Sequence, residues 1–310
     1  MRALCLRLPL FCFMLTHKLH FTLELTLVNR LSNAMHNTVT PGNLWSSLHS
    51  EAKKLAQGEP ILASFFNTTI LRHESLQSAI SFLLANKLDS ASIPAMVLRE
   101  VFEEAMEDKS SNIVSMIERD ILAIKERDPA CECLTTPFLF FKGFHALQSY
   151  RIANWLWKQE RESLALFMQS QISMAFSVDI HPAASIGCGV LLDHGTGLVV
   201  GETCVIENNV SILQSVTLGG TGKEHGDRHP KIRSGVLIGA GAKILGNIEV
   251  GEGAKIGAGS VVLEAVEAHT TVAGVPARVV GRNTEREPSR VMDHNINHCV
   301  QAKKKEKQAG

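Results

Sequence analysis

The stretch KIRSGVLIGAGAKILGNIEVGEGAKIGAGSVV, residues 231–262, places an aliphatic side chain at every sixth position. The positions that share this spacing are Ile232, Ile238, Ile244, Val250, Ile256 and Val262. An α-helix repeats every 3.6 residues and a flat strand every two, so neither explains this period. Six consecutive matches also exclude a chance arrangement. Hexapeptide repeats predict a parallel β-helix, in which each hexad forms a short strand and a corner.

The same spacing extends over the whole segment from residue 179 to residue 281. Two earlier phases of the repeat comprise Ile180, Ile186, Leu192 and Leu198, followed by Val200, Ile206, Ile212 and Leu218. Glycine often follows the aliphatic residue, where a corner requires a missing side chain or a positive φ. Three hexads form one triangular coil. Each coil therefore buries its aliphatic side chains only by stacking on the next coil.

The repeat is broken decisively between Leu218 and Ile232, where fourteen residues replace six. Eight additional residues within GGTGKEHGDRHPK must therefore leave the prism as a loop. Loops on repeat scaffolds are frequent locations of binding and catalytic groups. We expect a functional site near this loop.

The 310-residue chain divides into four predicted segments. Residues 1–34 form an N-terminal extension, 35–178 an all-α helical domain, 179–281 the β-helix and 282–310 a polar, disordered tail. The fold class is therefore α+β. We expect the helical domain to cover the open first coil of the β-helix, which would otherwise be an exposed sheet edge.

Residues 1–34 are apolar and basic, and their composition does not match that of the other segments. Their apolar run at 8–15 is too short to span a bilayer. A secretory signal, a transit peptide and an upstream extension before a start at Met35 are the alternatives, and we favour the last.

Apolar spacing in the second segment predicts a series of helices. They cover residues 44–52, 60–70, 74–86, 93–107, 111–126, 137–157 and 162–175. The aromatic run FLFFKGFHALQSYRIANWLW, residues 138–157, is more typical of a core or a subunit interface than of a ligand site.

Charge and cysteine content limit the classes of function. The 31 basic and 31 acidic residues cancel, so no overall field attracts nucleic acid or an anionic membrane. The seven Cys residues form no even disulfide framework, and Cys131 and Cys133 lack the second pair of a zinc site. A reduced, cytoplasmic protein without a structural metal is the interpretation we adopt.

Three polar clusters interrupt the apolar repeat. They are Asp179 with His181, Asp193 with His194, and Asp227–His229 in the extruded loop. A single His of this kind could be an exposed side chain with no function. That explanation does not account for several His, Asp and Arg residues in the same part of the prism. Asp179 and His194 are fifteen residues apart, less than one eighteen-residue coil. They can therefore meet on neighbouring coils.

These residue types suit an amino-acid substrate with a hydroxyl group. A carboxylate paired with His raises its basicity and fixes its tautomer, and the free ring nitrogen can then remove a hydroxyl proton. The planar fork of Arg228 suits a substrate carboxylate. Asp193 and Asp128 are candidates for binding an ammonium group. Such a site binds an amino acid through its charges and activates its hydroxyl.

Whole phrases of the sequence resemble bacterial serine O-acetyltransferases. The phrases are RDPA (127–130), KGFHALQ (142–148), VDIHPAASIG (178–187), LDHGTGLVVGE (192–202), SILQSVTLGGTGK (211–223), GDRHPKI (226–232) and AGVPAR (273–278). The resemblance spans residues 43–282. It implies a left-handed parallel β-helix after a helical domain, and acetyl transfer from acetyl-CoA to the hydroxyl of L-serine.

The resemblance also implies roles for individual residues. His194 matches the family's general base and Asp179 its orienting acid. The residues that match those holding L-serine are Asp128, Asp193, Arg228 and His229. Acetyl-CoA, a co-substrate and not a permanent cofactor, is expected along the prism near Gly220, Thr221, Ala240 and Ala258. L-cysteine is expected to compete in the serine pocket as a feedback inhibitor, and no metal is implied.

The implied assembly is a trimer with active sites between adjacent prisms, two trimers pairing through the helical domains into a hexamer. Family members often end in an Ile that inserts into O-acetylserine sulfhydrylase. This chain ends in KKKEKQAG, which argues against that complex. The first 34 residues have no counterpart in the family pattern.

Two alternatives remain at the level of sequence. The same fold carries acyltransferases for sugars, antibiotics and lipid A precursors, so fold alone does not define the acceptor. The RDPA phrase and the long helical domain favour serine over these. The second alternative is a non-catalytic scaffold or a zinc enzyme of the γ-carbonic anhydrase type, with His181, His194 and His229 as ligands. Their neighbouring Asp and Arg residues fit an organic anion better.

Overall fold

The computed structural model describes residues 39–222 and 225–296. The predicted extension, residues 1–34, lies outside the described residues. From Pro41 onward the described chain forms one compact unit. Its eight N-terminal helices are α1 Leu44–Gly58, α2 Ala63–Phe66, α3 Leu76–Lys87, α4 Ala95–Glu107, α5 Ile113–Arg127, α6 Thr135–Phe140, α7 Lys142–Lys158 and α8 Glu162–Phe176. The order of a helical region followed by parallel strands confirms the predicted fold class.

Helix α7 is the central helix of the helical region. Most of its side chains are buried, including the polar His145, Gln148 and Arg151. The sequence predicts one continuous apolar helix from Pro137, but the structure has two helices that meet at Phe141. Phe141 has extended backbone angles, and its carbonyl accepts the first hydrogen bond of α7 from the backbone N–H of His145. The aromatic run therefore contributes to the core on both sides of this break, through Phe138 and Phe144, while Phe140 at the break is exposed.

Fifteen short strands follow the helices. They are β1 Val178–Ile180, β2 Ser185–Ile186, β3 Leu191–Leu192, β4 Leu198–Val200, β5 Val205–Ile206, β6 Ser211–Ile212, β7 Thr217–Gly219, β8 Lys231–Ile232, β9 Leu237–Ile238, β10 Lys243–Leu245, β11 Glu249–Val250, β12 Lys255–Ile256, β13 Val261–Val262, β14 Thr270–Gly274 and β15 Ala277–Arg282. They form three faces: sheet A is β1-β4-β7-β10-β13, sheet B is β2-β5-β8-β11, and sheet C is β3-β6-β9-β12-β14-β15. Only the β14–β15 pair is antiparallel among the described strands.

The strand register stacks the predicted aliphatic residues in three columns. Column A holds Ile180, Val200, Leu218, Ile244 and Val262. Column B holds Ile186, Ile206, Ile232 and Val250. Column C holds Leu192, Ile212, Ile238, Ile256 and Val272. All of these side chains are buried, which confirms the prediction that each coil is stabilised by the next.

The register deviates from the eighteen-residue coil at two places. Residue 180 pairs with 200, whereas 200 pairs with 218, so the first coil contains two additional residues. They lie in the corner between β3 and β4, residues 193–197, which we call the His194 corner. The second deviation is the predicted loop between β7 and β8, because Leu218 stacks on Val200 while Ile232 stacks on Ile206.

Part of the segment predicted as a disordered tail has a defined place. A short helix, α9 Pro288–Val291, follows β15 and packs against α5 and β9. The Ser289 carbonyl accepts a hydrogen bond from Ser211 Oγ at 2.8 Å. The Lys255 ammonium then donates to the Asn295 carbonyl at 2.9 Å. Residues 283–296 thus lie along sheet C, while residues 297–310 lie outside the described residues.

A buried ion pair joins the helical region to the first coil. Arg151 Nη2 lies 2.7 Å from Asp120 Oδ2, and both side chains are almost completely buried. Arg151 also donates to the carbonyls of Ile186 and Gly187, while Asp120 Oδ1 accepts the backbone N–H of Val190 at 3.0 Å. The pair therefore satisfies backbone groups of the first coil, which has no preceding coil to pair with.

We expect Asp120→Ala to destabilise the protein by about 3–5 kcal/mol, because it leaves the Arg151 guanidinium buried without a counter-charge. Urea unfolding at matched protein concentration measures the loss. The control is Glu103→Ala, which removes an exposed helical ion pair with Arg99 and is expected to cost about 0.5 kcal/mol. Equal losses for the two variants would contradict this role of Asp120.

Candidate active site

His194 lies in the lengthened corner of the first coil, between β3 and β4. Its backbone adopts φ of 56°, a left-handed conformation that is uncommon for a residue with a side chain. The side chain is 72% exposed, and its Nε2 lies 3.8 Å from Asp193 Oδ1. The two additional residues of this corner thus lift an imidazole away from the prism. It is free to contact a ligand or another chain.

Helix α7 supports the His194 corner from below through a close backbone contact. A Cβ at Gly143 would lie 2.1 Å from the Leu192 carbonyl oxygen, and a Cβ at Gly195 would lie 3.2 Å from the Gly143 Cα. Only glycine at 143 allows this approach without displacement. The KGFH phrase therefore has a mechanical role, because it holds the corner against a buried helix.

Asp179 lies in the middle of β1, with its half-buried side chain on sheet A. Its Oδ1 accepts a hydrogen bond of 2.7 Å from Gln169 Nε2 on helix α8. No hydrogen bond or ion pair joins Asp179 to His194 within one chain over the described ranges. The corner itself lies against the start of β1, where the Gly197 N–H donates to the Ser177 carbonyl at 2.7 Å. The meeting of Asp179 and His194 therefore stays a prediction.

Arg228 and His229 lie at the base of the extruded loop, next to the corner that follows β4. Arg228 Nη2 forms an ion pair of 2.6 Å with Glu202 Oε2, and Nη1 donates to the Gly226 carbonyl. His229 is buried, with 7% of its surface exposed. Its Nδ1 lies 2.9 Å from the Thr203 hydroxyl. We call residues 201–203 together with 226–229 the Arg228 cluster.

The ring of His229 occupies the space above Gly201. A Cβ at Gly201 would lie 2.0 Å from His229 Cδ2 and 2.1 Å from Nε2. The glycine that follows an aliphatic repeat position is thus required here by the ring and not by a positive φ. Because Gly201 has no side chain, the corner after β4 has room for the His229 ring, which comes from the loop of the next coil.

The charges of the Arg228 cluster favour a neutral imidazole beside a cation. Burial lowers the pKa of His229, and the neighbouring Arg228 charge adds to this effect. Burial also lowers the pKa of His181, although the Glu202 and Asp179 carboxylates oppose it. The hydrogen bond from Arg228 lowers the pKa of Glu202. Asp179, His181 and the Arg228 cluster therefore belong to one electrostatic environment.

The remaining predicted polar residues are less closely joined to this environment. Asp128 ends helix α5, and its Oδ1 accepts the backbone N–H of Ala130 at 2.8 Å. In the part of the chain that the structure describes, Asp128 forms no hydrogen bond or ion pair with Asp193, His194 or Arg228. The C-terminal segment approaches Asp193 instead. Burial lowers the pKa of His294, and the Asp193 carboxylate acts in the opposite direction.

The four predicted acetyl-CoA contacts lie on both edges of sheet A. Gly220 and the exposed Thr221 follow β7, and Thr221 approaches Gly246 of the next coil. Ala240 and Ala258 lie at the opposite edge on successive coils, where the Gly259 N–H donates to the Ala240 carbonyl at 2.8 Å. Small residues at these positions leave the sheet edge open to a long ligand.

Sequence patterns do not indicate three residues that hold the candidate groups in place. Gln169 binds Asp179, Glu202 binds Arg228, and Thr203 binds His229. Glu202 closes the LDHGTGLVVGE phrase, but neither its type nor its spacing assigns it a partner. Gln169 lies on a helix and Thr203 at a corner of ordinary length, so neither disturbs a periodic pattern.

The described residues offer neither a metal site nor a membrane span. Residues 39–222 and 225–296 contain no group of three or more His, Cys, Asp or Glu side chains arranged to hold a metal ion. In the same part of the chain, no helix combines the length and the apolar character that crossing a bilayer requires.

Comparison with known proteins gives consistent matches over most of the chain. Residues 44–149 match the family described as "Serine acetyltransferase, N-terminal", and residues 229–264 match "Bacterial transferase hexapeptide (six repeats)". The serine acetyltransferase of Escherichia coli (strain K12) is 62% identical over 254 residues, which cover 82% of this chain and 93% of that protein.

Solved structures show the same similarity. The serine acetyltransferase of Vibrio cholerae superposes with a TM-score of 0.81 at 60% identity, covering 83% of this chain and 99% of that one. A serine acetyltransferase in complex with cysteine has the same TM-score at 59% identity and the same coverage. The Brucella abortus enzyme in complex with coenzyme A has a TM-score of 0.76 at 51% identity, covering 79% and 97%.

We expect Gly201→Ala to displace the His229 ring and to cost about 1–3 kcal/mol of stability, as overpacking of a filled site does. Urea unfolding measures the loss, and histidine NMR signals report the ring displacement. Gly222→Ala is the control, because a Cβ there meets nothing within 4 Å. An unchanged His229 signal in Gly201→Ala would contradict the packing described here.

Proposed function

This chain belongs to the serine acetyltransferase family and transfers the acetyl group of acetyl-CoA to the hydroxyl of L-serine. We propose that residues at two corners of its β-helix carry out this reaction together. The products are O-acetyl-L-serine and CoA. The observation that carries the proposal is the placement of His194 on one corner of sheet A and of Arg228 with His229 on the other. One corner supplies a base, and the other supplies groups for a carboxylate.

His194 is the proposed general base. Its exposed ring removes the proton from the serine hydroxyl as the oxygen attacks the thioester carbon of acetyl-CoA. The tetrahedral intermediate then collapses, the C–S bond breaks, and the CoA sulfur leaves and receives the proton. Asp193, 3.8 Å from Nε2, stabilises the imidazolium that forms in between. Asp179 is the proposed orienting acid, held in place by Gln169.

Arg228 and His229 are the proposed binding groups for the serine carboxylate. The guanidinium offers two parallel N–H donors, which match a carboxylate, and it is paired with Glu202 in the present structure. Asp193 and Asp128 are proposed to bind the ammonium group. A pocket with both charges recognises the carboxylate and ammonium groups that L-serine shares with L-cysteine. It therefore also accommodates L-cysteine, which inhibits by occupying the serine position.

We propose that the active site is completed by a second chain. Sheet A separates the His194 corner from the Arg228 cluster, and three residues of β4 correspond to about 10 Å. A serine molecule is too short to reach both groups across that face. In a trimer of prisms, the His194 corner of one chain meets Asp179 and the Arg228 cluster of the next. Pairing of two trimers through residues 35–178 gives the proposed hexamer.

We propose that acetyl-CoA lies along sheet A between prisms. Gly220 and Thr221 at one edge and Ala240 and Ala258 at the other leave backbone groups accessible to its pantetheine arm. We also propose a cytoplasmic location. Cys131, Cys133, Cys188 and Cys204 are free thiols, as is typical of a reducing compartment.

We expect His194→Ala to leave the fold intact and to lower the turnover number by at least about 10²-fold, because the hydroxyl loses its proton acceptor. Release of CoA thiol with L-serine as acceptor measures the rate, and circular dichroism checks the fold. A near wild-type rate would remove His194 from the role of base.

We expect Arg228→Ala to raise the KM for L-serine by about 10²-fold or more, with the KM for acetyl-CoA changing little. Inhibition by L-cysteine should weaken in parallel, because its carboxylate uses the same donors. Arg233→Ala is a matched control, since Arg233 pairs with Glu207 and Glu249 on sheet B. An equal rise in both Michaelis constants would contradict carboxylate binding by Arg228.

A further inference from the structure

Thr203 makes an unusual number of contacts with the candidate carboxylate site. Its hydroxyl oxygen accepts the backbone N–H of Arg228 at 3.0 Å and that of His229 at 3.1 Å. The same oxygen lies 2.9 Å from His229 Nδ1. Its backbone N–H lies 3.2 Å from that nitrogen. One corner residue therefore contacts the two binding residues at three separate groups.

These contacts determine which ring nitrogen of His229 carries the proton. The Thr203 backbone N–H can only donate, so Nδ1 must be an acceptor. The Thr203 hydroxyl already accepts two N–H groups, so its own proton is available to Nδ1 or to the nearby Asp227 carboxylate. In either case the neutral ring carries its proton on Nε2. Burial lowers the pKa of His229, which favours this neutral form of the ring.

His229 Nε2–H has no hydrogen-bond partner among residues 39–222 and 225–296. The ring packs against Gly201 at its Cδ2 and Nε2 atoms and is held at Nδ1, so the position of the donor is fixed. A donor of this kind, beside the Arg228 guanidinium, is complementary to a carboxylate oxygen.

Lys231 holds the same two segments together from the other side. Its ammonium donates to the carbonyls of Thr203 and His229 at 2.9 and 2.7 Å, and to the Asp227 carboxylate at 2.6 Å. The loop is thus joined to the corner after β4 by contacts on both sides. Lys231 contacts only the backbone of His229, whereas Thr203 also hydrogen-bonds its imidazole ring.

We propose that Thr203 is a positioning residue for substrate recognition, whose hydroxyl holds the backbone of Arg228 and His229 while its backbone N–H keeps His229 in the Nε2–H form. This inference rests on the proposed role of Arg228 and His229 in binding the serine carboxylate. Thr203 touches neither substrate. It acts on affinity for the amino acid through the orientation of two donors.

The test compares Thr203→Val, which keeps the shape but removes the hydroxyl, with Thr203→Ser, which keeps the hydroxyl. We expect Thr203→Val to raise the KM for L-serine about 10-fold and the inhibition constant of L-cysteine by a similar factor. The KM for acetyl-CoA should remain within about twofold of wild type. Thr203→Ser should restore the KM for L-serine.

Two controls separate positioning from general destabilisation. Thr270→Val alters a buried threonine of the last coil, whose hydroxyl donates to the Ala268 carbonyl. It should leave both Michaelis constants unchanged. Thermal unfolding of all variants is measured in parallel. An unchanged KM for L-serine in Thr203→Val, or equal rises for both substrates, overturns the inference.

A spectroscopic measurement tests the tautomer without reference to activity. In ¹⁵N-histidine spectra of the full-length protein, assigned with His229→Asn, we expect Nδ1 of His229 to be unprotonated and Nε2 protonated. The opposite tautomer overturns the inference. Arg228→Ala tests the proposed carboxylate site separately from the role of Thr203. If it leaves the KM for L-serine unchanged, the proposed carboxylate site fails; if it raises that KM while Thr203→Val does not, only the role of Thr203 fails.

Discussion

The first coil of a parallel β-helix must pair its free edge, and the rest of this structure depends on how that is done. Backbone groups of later coils are satisfied by the coil before them, but those of residues 186–190 have no such neighbour. Arg151 and Asp120 supply the missing donors and acceptors from helices α7 and α5. Two charges that would be costly alone are buried together, and each also binds the backbone. The helical region is thereby an integral part of the β-helix.

The candidate site lies where the six-residue spacing fails. The His194 corner is two residues longer than the regular corner, and the loop before Ile232 contains eight residues more. The lengthened corner carries the exposed His194 side chain, and the loop carries Arg228 and His229. The sequence shows the longer loop as a gap in the repeat. It shows the longer corner only as a spacing of eight residues, and not six, between the stacked positions Leu192 and Val200. This spacing alone does not predict that the His194 side chain is exposed there.

The sequence predicts less well what depends on contacts between distant segments. The aliphatic columns, the order of helices and the chemistry of His194 and Arg228 follow from periodicity and residue type. The bend at Phe141, the support of Asp179 by Gln169 and the role of Thr203 follow from packing, which leaves no periodic signal. Asp179 and His194 illustrate the difference, since a count of residues allows them to meet, while over the described ranges Asp179 is hydrogen-bonded to Gln169 and His194 lies nearest to Asp193.

The antiparallel pairing of β14 with β15 ends the β-helix. A column of parallel coils has no intrinsic end, because each coil offers the same edge for the next. The hairpin reverses the direction of the chain and covers that edge with a strand of opposite polarity, so a further coil finds no matching register. The C-terminal segment then runs back along sheet C as far as Ser211 and Lys255, so the number of coils between the loop and the hairpin also determines where this segment can bind.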